Sequence, residues 1–568
     1  MSVFDDARRK ISARIDPLGL IPAAATVTAR AAVNPLGLVK ANVDLAGDLA
    51  RIPVSYLRSV AGADDPNWPM EVDAKDRRFS DRTWEENPNY KALRQYYLAA
   101  CGYVDAVRAA GAGDERADGK IGFITRLVMD TMAPTNFLLT NPDALIEAYR
   151  TGGGSLVRGF RHFVDDLLNR GGRPEKIDRS KYVLGENMAC TPGKVIFRND
   201  LIEVMQYEPQ TEQVHAVPLL VTPPWINKYY ILDLTPGRSL IEMAVKSGRT
   251  VFGISYRQPD SSMRDLGMDD YYNQGTVAAL DVVQKVTGAP KVDILALCLG
   301  GAMSAMATAK DAAEGNDRIG TLTLMNTMLD YTDPGEIKYF TGPEDVEVII
   351  ERMQAKGFLS KEEMADTFDM VRARDLIFNY WVSRWMKGED PTAFDILVWN
   401  ADSTNMPARM HAEYMRSLYV QNALVTGEFV LDGTRLDMSK VTNDTYVVGA
   451  VGDHIVPWST SYRAVAMLGG DVRYVQSNGG HLAGALNPPS KRTWYRAIGK
   501  PEEANRDQYP ATAAQFEEQA PKITGDSWWS DWNTWMSSRA GEMIDPPAMG
   551  GYDVEPLGDA PGQYVRSE

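Results

Sequence analysis

One short stretch constrains the fold more than any other. Lys291-Val-Asp-Ile-Leu-Ala-Leu297 is an apolar, β-type run that ends on Cys298. Leu299-Gly300-Gly301-Ala302 follows at once, and then a segment of helix formers from Met303 to Lys310. A strand that turns sharply into a helix presents the residue at the bend beyond the strand's carboxyl end, and here that residue is a nucleophile.

From about Thr191 the surrounding sequence fits such a unit. Apolar β-type runs occur at Val195–Phe197, Ile202–Tyr207, Ala216–Thr222, Thr250–Ser255, Val292–Leu297, Gly320–Met325, Thr445–Ala450 and Val472–Gln476. Helical segments such as Ser239–Ser247 and Gly275–Val286 separate the central ones. This alternation predicts a mostly parallel sheet covered on both faces, and with the bend at Cys298 it predicts an α/β-hydrolase fold. The rhythm stops between Met325 and Thr445, where helix formers and aromatics predominate (Asp345–Ala355, Lys361–Asn379, His411–Gln421). An insertion there, beyond the nucleophile, is expected to be a cap. The expected division is a mainly helical domain over 1–190 and a catalytic domain over 191–568, with the cap inserted at about 331–440.

A chain of 568 residues has room for two such domains. Its formal charge of −16 argues against a nucleic-acid partner, which needs a basic face. The three cysteines, Cys101, Cys190 and Cys298, are too scattered for a disulfide framework or a metal site, and suit a reducing compartment. The opening residues Met1 to Lys10 lack the basic-then-apolar order of a signal peptide. The best apolar run near the start, Leu18 to Val33, is broken by Pro22 and Arg30, so no membrane span is expected. A cytoplasmic protein is the resulting expectation. Within Leu36–Val60, Leu36, Val39, Val43, Leu45, Leu49 and Ile52 recur near helical spacing. Such a stripe either packs on its own domain or docks on a lipid-like surface or partner.

An elbow nucleophile needs a base and an orienting acid, in the chain order nucleophile, acid, histidine. Of five histidines, His162 and His215 precede Cys298, and His411 lies in the expected cap. His481 follows the last strand of the series in Ser477-Asn-Gly-Gly-His481, and Asp453 stands just beyond Thr445–Ala450. Cys298, Asp453 and His481 therefore occupy three strand ends in the required order. Asp330 is a rival acid, and His454 a weaker rival base. The oxyanion hole should use the backbone N–H of Leu299 and one from the loop Thr222-Pro-Pro-Trp-Ile-Asn-Lys228. Pro223 and Pro224 have no N–H, which leaves Ile226 or Trp225. Cys101 and Cys190 have no histidine-bearing turn nearby and are read as inert. The cluster Trp528, Trp529, Trp532 and Trp535 is read as packing, with contact to polymer or partner as the alternative.

Sulfur at the bend points to thioester chemistry. A thiolate exchanging with a thioester yields another thioester, so the acyl group stays activated and can pass to a hydroxyl. A paired imidazole supplies the thiolate.

The chain resembles the poly(3-hydroxyalkanoate) synthases. The resemblance rests on Pro134-Thr-Asn-Phe-Leu-Leu-Thr-Asn-Pro142, Thr191-Pro-Gly193 and Pro223-Pro-Trp-Ile-Asn-Lys-Tyr-Tyr-Ile-Leu-Asp-Leu234. It continues through Ser255-Tyr-Arg-Gln-Pro-Asp260, Trp399-Asn-Ala-Asp-Ser-Thr-Asn405, Asp453-His-Ile-Val-Pro-Trp458, Gly480-His-Leu-Ala-Gly-Ala-Leu-Asn-Pro-Pro489 and Pro561-Gly-Gln-Tyr-Val565. One departure is Ala296, which stands where the family's G-x-C-x-G-G box has its first glycine.

The resemblance implies that Cys298 carries the growing chain, that His481 activates it, and that Asp453 fills the third catalytic role. It implies (R)-3-hydroxyacyl-coenzyme A substrates, no cofactor or metal, a growing polyester chain and granule surface as partners, and a homodimer. By length, the chain resembles the single-subunit, short-chain-monomer class. A thioesterase or polyester depolymerase with the same triad is the nearest rival enzyme, and a non-catalytic granule protein the rival from another class.

Overall fold

The structure is a computed structural model that describes residues 16, 18–62, 67–74, 76–503, 505–551 and 554–567, and of Phe368 only the backbone. Met1 to Lys10, considered for a signal peptide, lie outside the described residues. Backbone contacts divide the chain into two compact units. One holds the residues up to Asp178 together with Ala365–Thr392, and the other holds Arg179–Met364 with Ala393–Glu568.

The first unit is helical. Its longest helix, α1 (Pro35–Val60), starts where the Asn34 side chain accepts from the Gly37 N–H and Pro35 occupies the first turn. It packs along α2 (Pro88–Ala110). The stripe predicted from the sequence is covered only in part. Leu45 and Ile52 join a small core with Ala92 and Ala99, while Leu36, Val39 and Val43 remain exposed (81%, 58% and 63%). The excursion Ala365–Thr392, within the segment expected to form the cap, clusters with these N-terminal helices. Arg384 there is buried and pairs through Nε with Asp166 of α3 (Gly154–Asn169) at 2.7 Å, and Trp385 donates to the same carboxylate at 2.8 Å. A Cβ at Gly159 would lie 2.1 Å from the Trp385 carbonyl oxygen, so only glycine allows this approach.

The second unit is built on one sheet of eleven strands. They are β1 (Gly193–Arg198), β2 (Ile202–Tyr207), β3 (Leu219–Thr222), β4 (Val251–Tyr256), β5 (Val292–Leu297), β6 (Ile319–Met325), β7 (Thr445–Ala450), β8 (Val472–Ser477), β9 (Trp494–Ala497), β10 (Lys522–Thr524) and β11 (Gly558–Asp559). Their order is β10-β9-β8-β7-β6-β5-β3-β4-β2-β1-β11. The six central strands from β8 to β4 run parallel, and the pairings outside them are antiparallel. The strand predicted from Ala216 starts only at Leu219, because Pro218 has no N–H for the ladder.

Register positions the site. Leu297 lies opposite Met325, Val448 opposite Met325, and Ala450 opposite Ser477. The carboxyl ends of β5, β6, β7 and β8 therefore finish close together, so the residues that follow them share one edge. Between β5 and β6 runs α4 (Leu299–Glu314), buried continuously from Leu299 to Asp311, as expected of a helix apolar nearly all round. Two of the predicted helices in this unit carry π-turns instead of regular ends. Tyr271–Val277 precedes the helix Ala278–Thr287, and Met415–Val420 follows α5 (Ala408–Tyr414). Among the described residues, no helix is long and apolar enough to cross a membrane.

Candidate active site

Cys298 has φ 52° and ψ −117°, a conformation that L-residues avoid and that stores about 1–3 kcal/mol. Three contacts hold it there. The Cys298 N–H donates to the Met325 carbonyl at 2.9 Å, and the Thr327 hydroxyl donates to the Cys298 carbonyl at 3.3 Å. The third is close packing of the helix start. A Cβ at Gly300 would sit 2.4 Å from the Thr222 carbonyl oxygen, and one at Gly301 would sit 2.1 Å from Thr327 Oγ1. Both glycines are therefore required, and α4 begins at Leu299 itself rather than at Met303. Ala296 is fully buried between Thr222 and Leu324 on the adjacent strands, with its methyl group accommodated.

His481 opens α6 (His481–Ala485), after a turn in which Gly479 adopts φ 109°. Its Nδ1 donates to Asp453 Oδ2 at 2.7 Å. The other carboxylate oxygen, Oδ1, accepts from the N–H groups of Ile455 and Val456, both at 2.9 Å. Both side chains are buried. Burial works against a charged imidazole here, but the Asp453 carboxylate and the Cys298 sulfur outweigh it and push the ring's pKa well above the ordinary histidine value. Asp453, His481 and Cys298 are thus brought together.

The rivals are placed otherwise. Asp330 accepts from the Thr332 N–H at 2.8 Å, Asn422 Nδ2 at 2.9 Å and an Arg463 guanidinium at 2.8 Å. Burial opposes its ionisation, but these bonds together hold its pKa below the usual range, so it anchors a loop. His454 is exposed beside Asp453. Leu299 is the first residue of α4, where helical N–H groups have no acceptor four residues back. Ile226 packs against the same core as Cys298. Cys101 and Cys190 are free thiols whose pKa values burial raises, which disfavours the reactive thiolate.

One support was not singled out by sequence reasoning. Asn326, buried and at φ 45°, follows β6 and donates through Nδ2 to the His481 carbonyl. An asparagine closing an apolar strand was the available signal, since it tolerates a left-handed turn. The tryptophan cluster forms α7 (Trp528–Ser537), with all four indoles buried. Trp528 donates to the Gly484 carbonyl at 2.8 Å and Trp529 to the Ala485 carbonyl at 2.9 Å. The cluster therefore packs directly against the helix that carries His481.

His411 lies buried on α5, its Nδ1 without a hydrogen-bond partner among the described residues and its ring 5.8 Å from that of Tyr414. Burial lowers its pKa to about 4. The fold thus favours the neutral ring, and this contribution is present above the unfolded value near 6.5 and is lost as pH falls from there towards 4. The full loss is on the order of 3 kcal/mol. Denaturant titrations at pH 7 and pH 4.5 should show a smaller fall in stability for His411→Asn than for the wild type. Equal falls would mean that the ring does not remain neutral in the fold.

The parallel sheet, the strained cysteine at its elbow and the buried carboxylate–imidazole pair define a protein of the α/β-hydrolase class. In agreement, residues 232–488 match the family described as "alpha/beta hydrolase fold". Residues 75–244 match "Poly-beta-hydroxybutyrate polymerase (PhaC) N-terminus". The chain is 38% identical over 501 residues to the poly(3-hydroxyalkanoate) polymerase subunit PhaC of Rhizobium etli, covering 88% of this chain and 78% of that one. It is 36% identical over 536 residues to the subunit of the same name from Rhizobium meliloti (94% and 86%). With that from Cupriavidus necator it shares 36% over 500 residues (87% and 83%). The chain belongs to the poly(3-hydroxyalkanoate) polymerase family, whose members are acyltransferases.

Proposed function

We propose that this protein polymerises (R)-3-hydroxyacyl-coenzyme A thioesters into poly(3-hydroxyalkanoate), releasing coenzyme A, by acyl transfer through Cys298. The observation that carries the reading is the 2.7 Å Asp453–His481 bond at the edge where the strained Cys298 emerges. His481 Nε2 takes the thiol proton, and the thiolate attacks the thioester carbonyl. The N–H groups of Leu299 and Ile226 receive the developing oxyanion. The carbon–sulfur bond to coenzyme A breaks, and the imidazolium returns its proton to the departing thiolate. In elongation the base withdraws the proton of a 3-hydroxyl, whose oxygen attacks the next thioester. An ester forms and one thiol is freed.

In this reading the enzyme acts as a homodimer in the cytoplasm at the surface of storage granules. The exposed Leu36, Val39 and Val43 of α1 support attachment to an apolar surface. The test is incubation of the purified protein with (R)-3-hydroxybutyryl-coenzyme A, following free thiol and product together. Thiol release with insoluble polyester is expected. Thiol release with free 3-hydroxybutyrate would make the protein a hydrolase, and no release would remove the reading altogether.

A further inference from the structure

Three tyrosines that the chemistry above does not use converge beside the sulfur. Tyr331 lies in the segment after β6, Tyr414 ends α5, and Tyr419 sits in the π-turn that follows. Tyr331 and Tyr414 are buried, and Tyr419 is half-buried. Their rings meet edge-on, with centroids 4.9 Å apart for Tyr331–Tyr419, 5.4 Å for Tyr414–Tyr419 and 6.4 Å for Tyr331–Tyr414. Cys298 packs against the core that contains Tyr331 and Tyr414, and its carbonyl accepts from Thr327, four residues before Tyr331. Trp225, from the loop that carries Ile226, places its ring edge-on to Tyr414 at 6.4 Å.

Two of the hydroxyls are bonded to each other. Tyr414 donates to the Tyr419 oxygen at 3.3 Å. Three phenols carry three O–H donors, and this one bond leaves two donors and several lone pairs unused among them. Burial raises the pKa of each, that of Tyr419 to about 12, so they act as hydrogen-bond donors rather than bases near neutral pH. A buried hydroxyl group with spare capacity in an aromatic wall is costly unless something polar meets it.

On an acyl unit bound to Cys298, the carbonyl oxygen faces the backbone N–H groups. The remaining polar group is the 3-hydroxyl, which both donates and accepts, as a phenol does. We propose that the Tyr331–Tyr414–Tyr419 hydroxyls form the subsite that recognises the 3-hydroxyl of the acyl unit on Cys298. This rests on Cys298 being the acylated residue. The subsite selects hydroxyacyl over plain acyl groups. It also holds the oxygen on one side of the chain, which favours one stereoisomer.

The test uses the full-length protein with Tyr331→Phe, Tyr414→Phe and Tyr419→Phe, singly and together, each keeping the ring. Single-turnover acylation is followed by intact mass with (R)-3-hydroxybutyryl-, (S)-3-hydroxybutyryl- and butyryl-coenzyme A. The combined variant should lose roughly tenfold or more of its preference for the (R)-hydroxy substrate over butyryl, and the (R)/(S) preference should fall with it. Its rate with butyryl-coenzyme A should stay within about twofold of wild type. An unchanged preference, or an equal slowing with all three substrates, would overturn the subsite and leave the tyrosines as packing. Failure of the wild type to be acylated by any of them would instead overturn Cys298 as the carrier, and the subsite with it.

Discussion

Cys298→Ala should abolish covalent acylation and polymer formation together, with turnover falling by at least about 10³–10⁴-fold. The magnitude follows from what the elbow does. In the proposed reaction the sulfur holds the acyl group, and its strained backbone is held by Met325 and Thr327. Alanine keeps that backbone and the buried Asp453–His481 pair, so the fold should persist while the chemistry stops. Substrate labelled in its acyl group, followed by peptide mapping, would place the label on the peptide containing Cys298 in the wild type and on no peptide in the variant. Cys101→Ala and Cys190→Ala should both label normally, because burial holds both thiols in the unreactive protonated form. Label persisting in Cys298→Ala would show that another residue carries the chain.

Asp453→Asn should separate the two halves of the reaction. A carboxylate that accepts from His481 Nδ1 fixes the ring's tautomer and stabilises its charged form, whereas an amide of the same shape can present a donor and favour the wrong tautomer. A cysteine already has a few per cent of thiolate near neutral pH, so its acylation depends less on the base than does activation of an alcohol. Elongation should therefore fall by about 10³–10⁴-fold, while single-turnover labelling of Cys298 should fall much less. Comparing labelled protein with polymer yield tests this. Equal losses would assign Asp453 to acylation as much as to elongation, and unchanged polymer yield would remove it from the machinery.

The parts of this site legible in the sequence share a physical basis. Strands β5, β6, β7 and β8 are short apolar runs bounded by turn residues, and the residue after each run must emerge at the same edge of a parallel sheet. Cys298, Asp453 and His481 could be found because each follows such a run closely. Contacts between elements far apart in sequence were not legible. Arg384 meets Asp166 across 218 positions, which draws residues 365–392 towards the N-terminal helices, and no local pattern encodes that pairing. The stripe on α1 could be seen, but periodicity does not say what covers Leu36 or Val39. Tyr331, Tyr414 and Tyr419 lie in an aromatic-rich stretch with the composition of ordinary core, and only their convergence distinguishes them.

The indole bonds from α7 to α6 also bear on how the enzyme is made. Trp528 and Trp529 lie far downstream of the histidine whose helix they brace, so a ribosome that has just translated His481 has not yet made those braces. A nascent or prematurely terminated chain can form the cysteine elbow without a fixed base. Emergence of α7, rather than synthesis of His481, then marks the moment at which the proposed site is complete. Chains ended at Asp526 should accordingly make no polymer, even where Cys298 still takes label slowly.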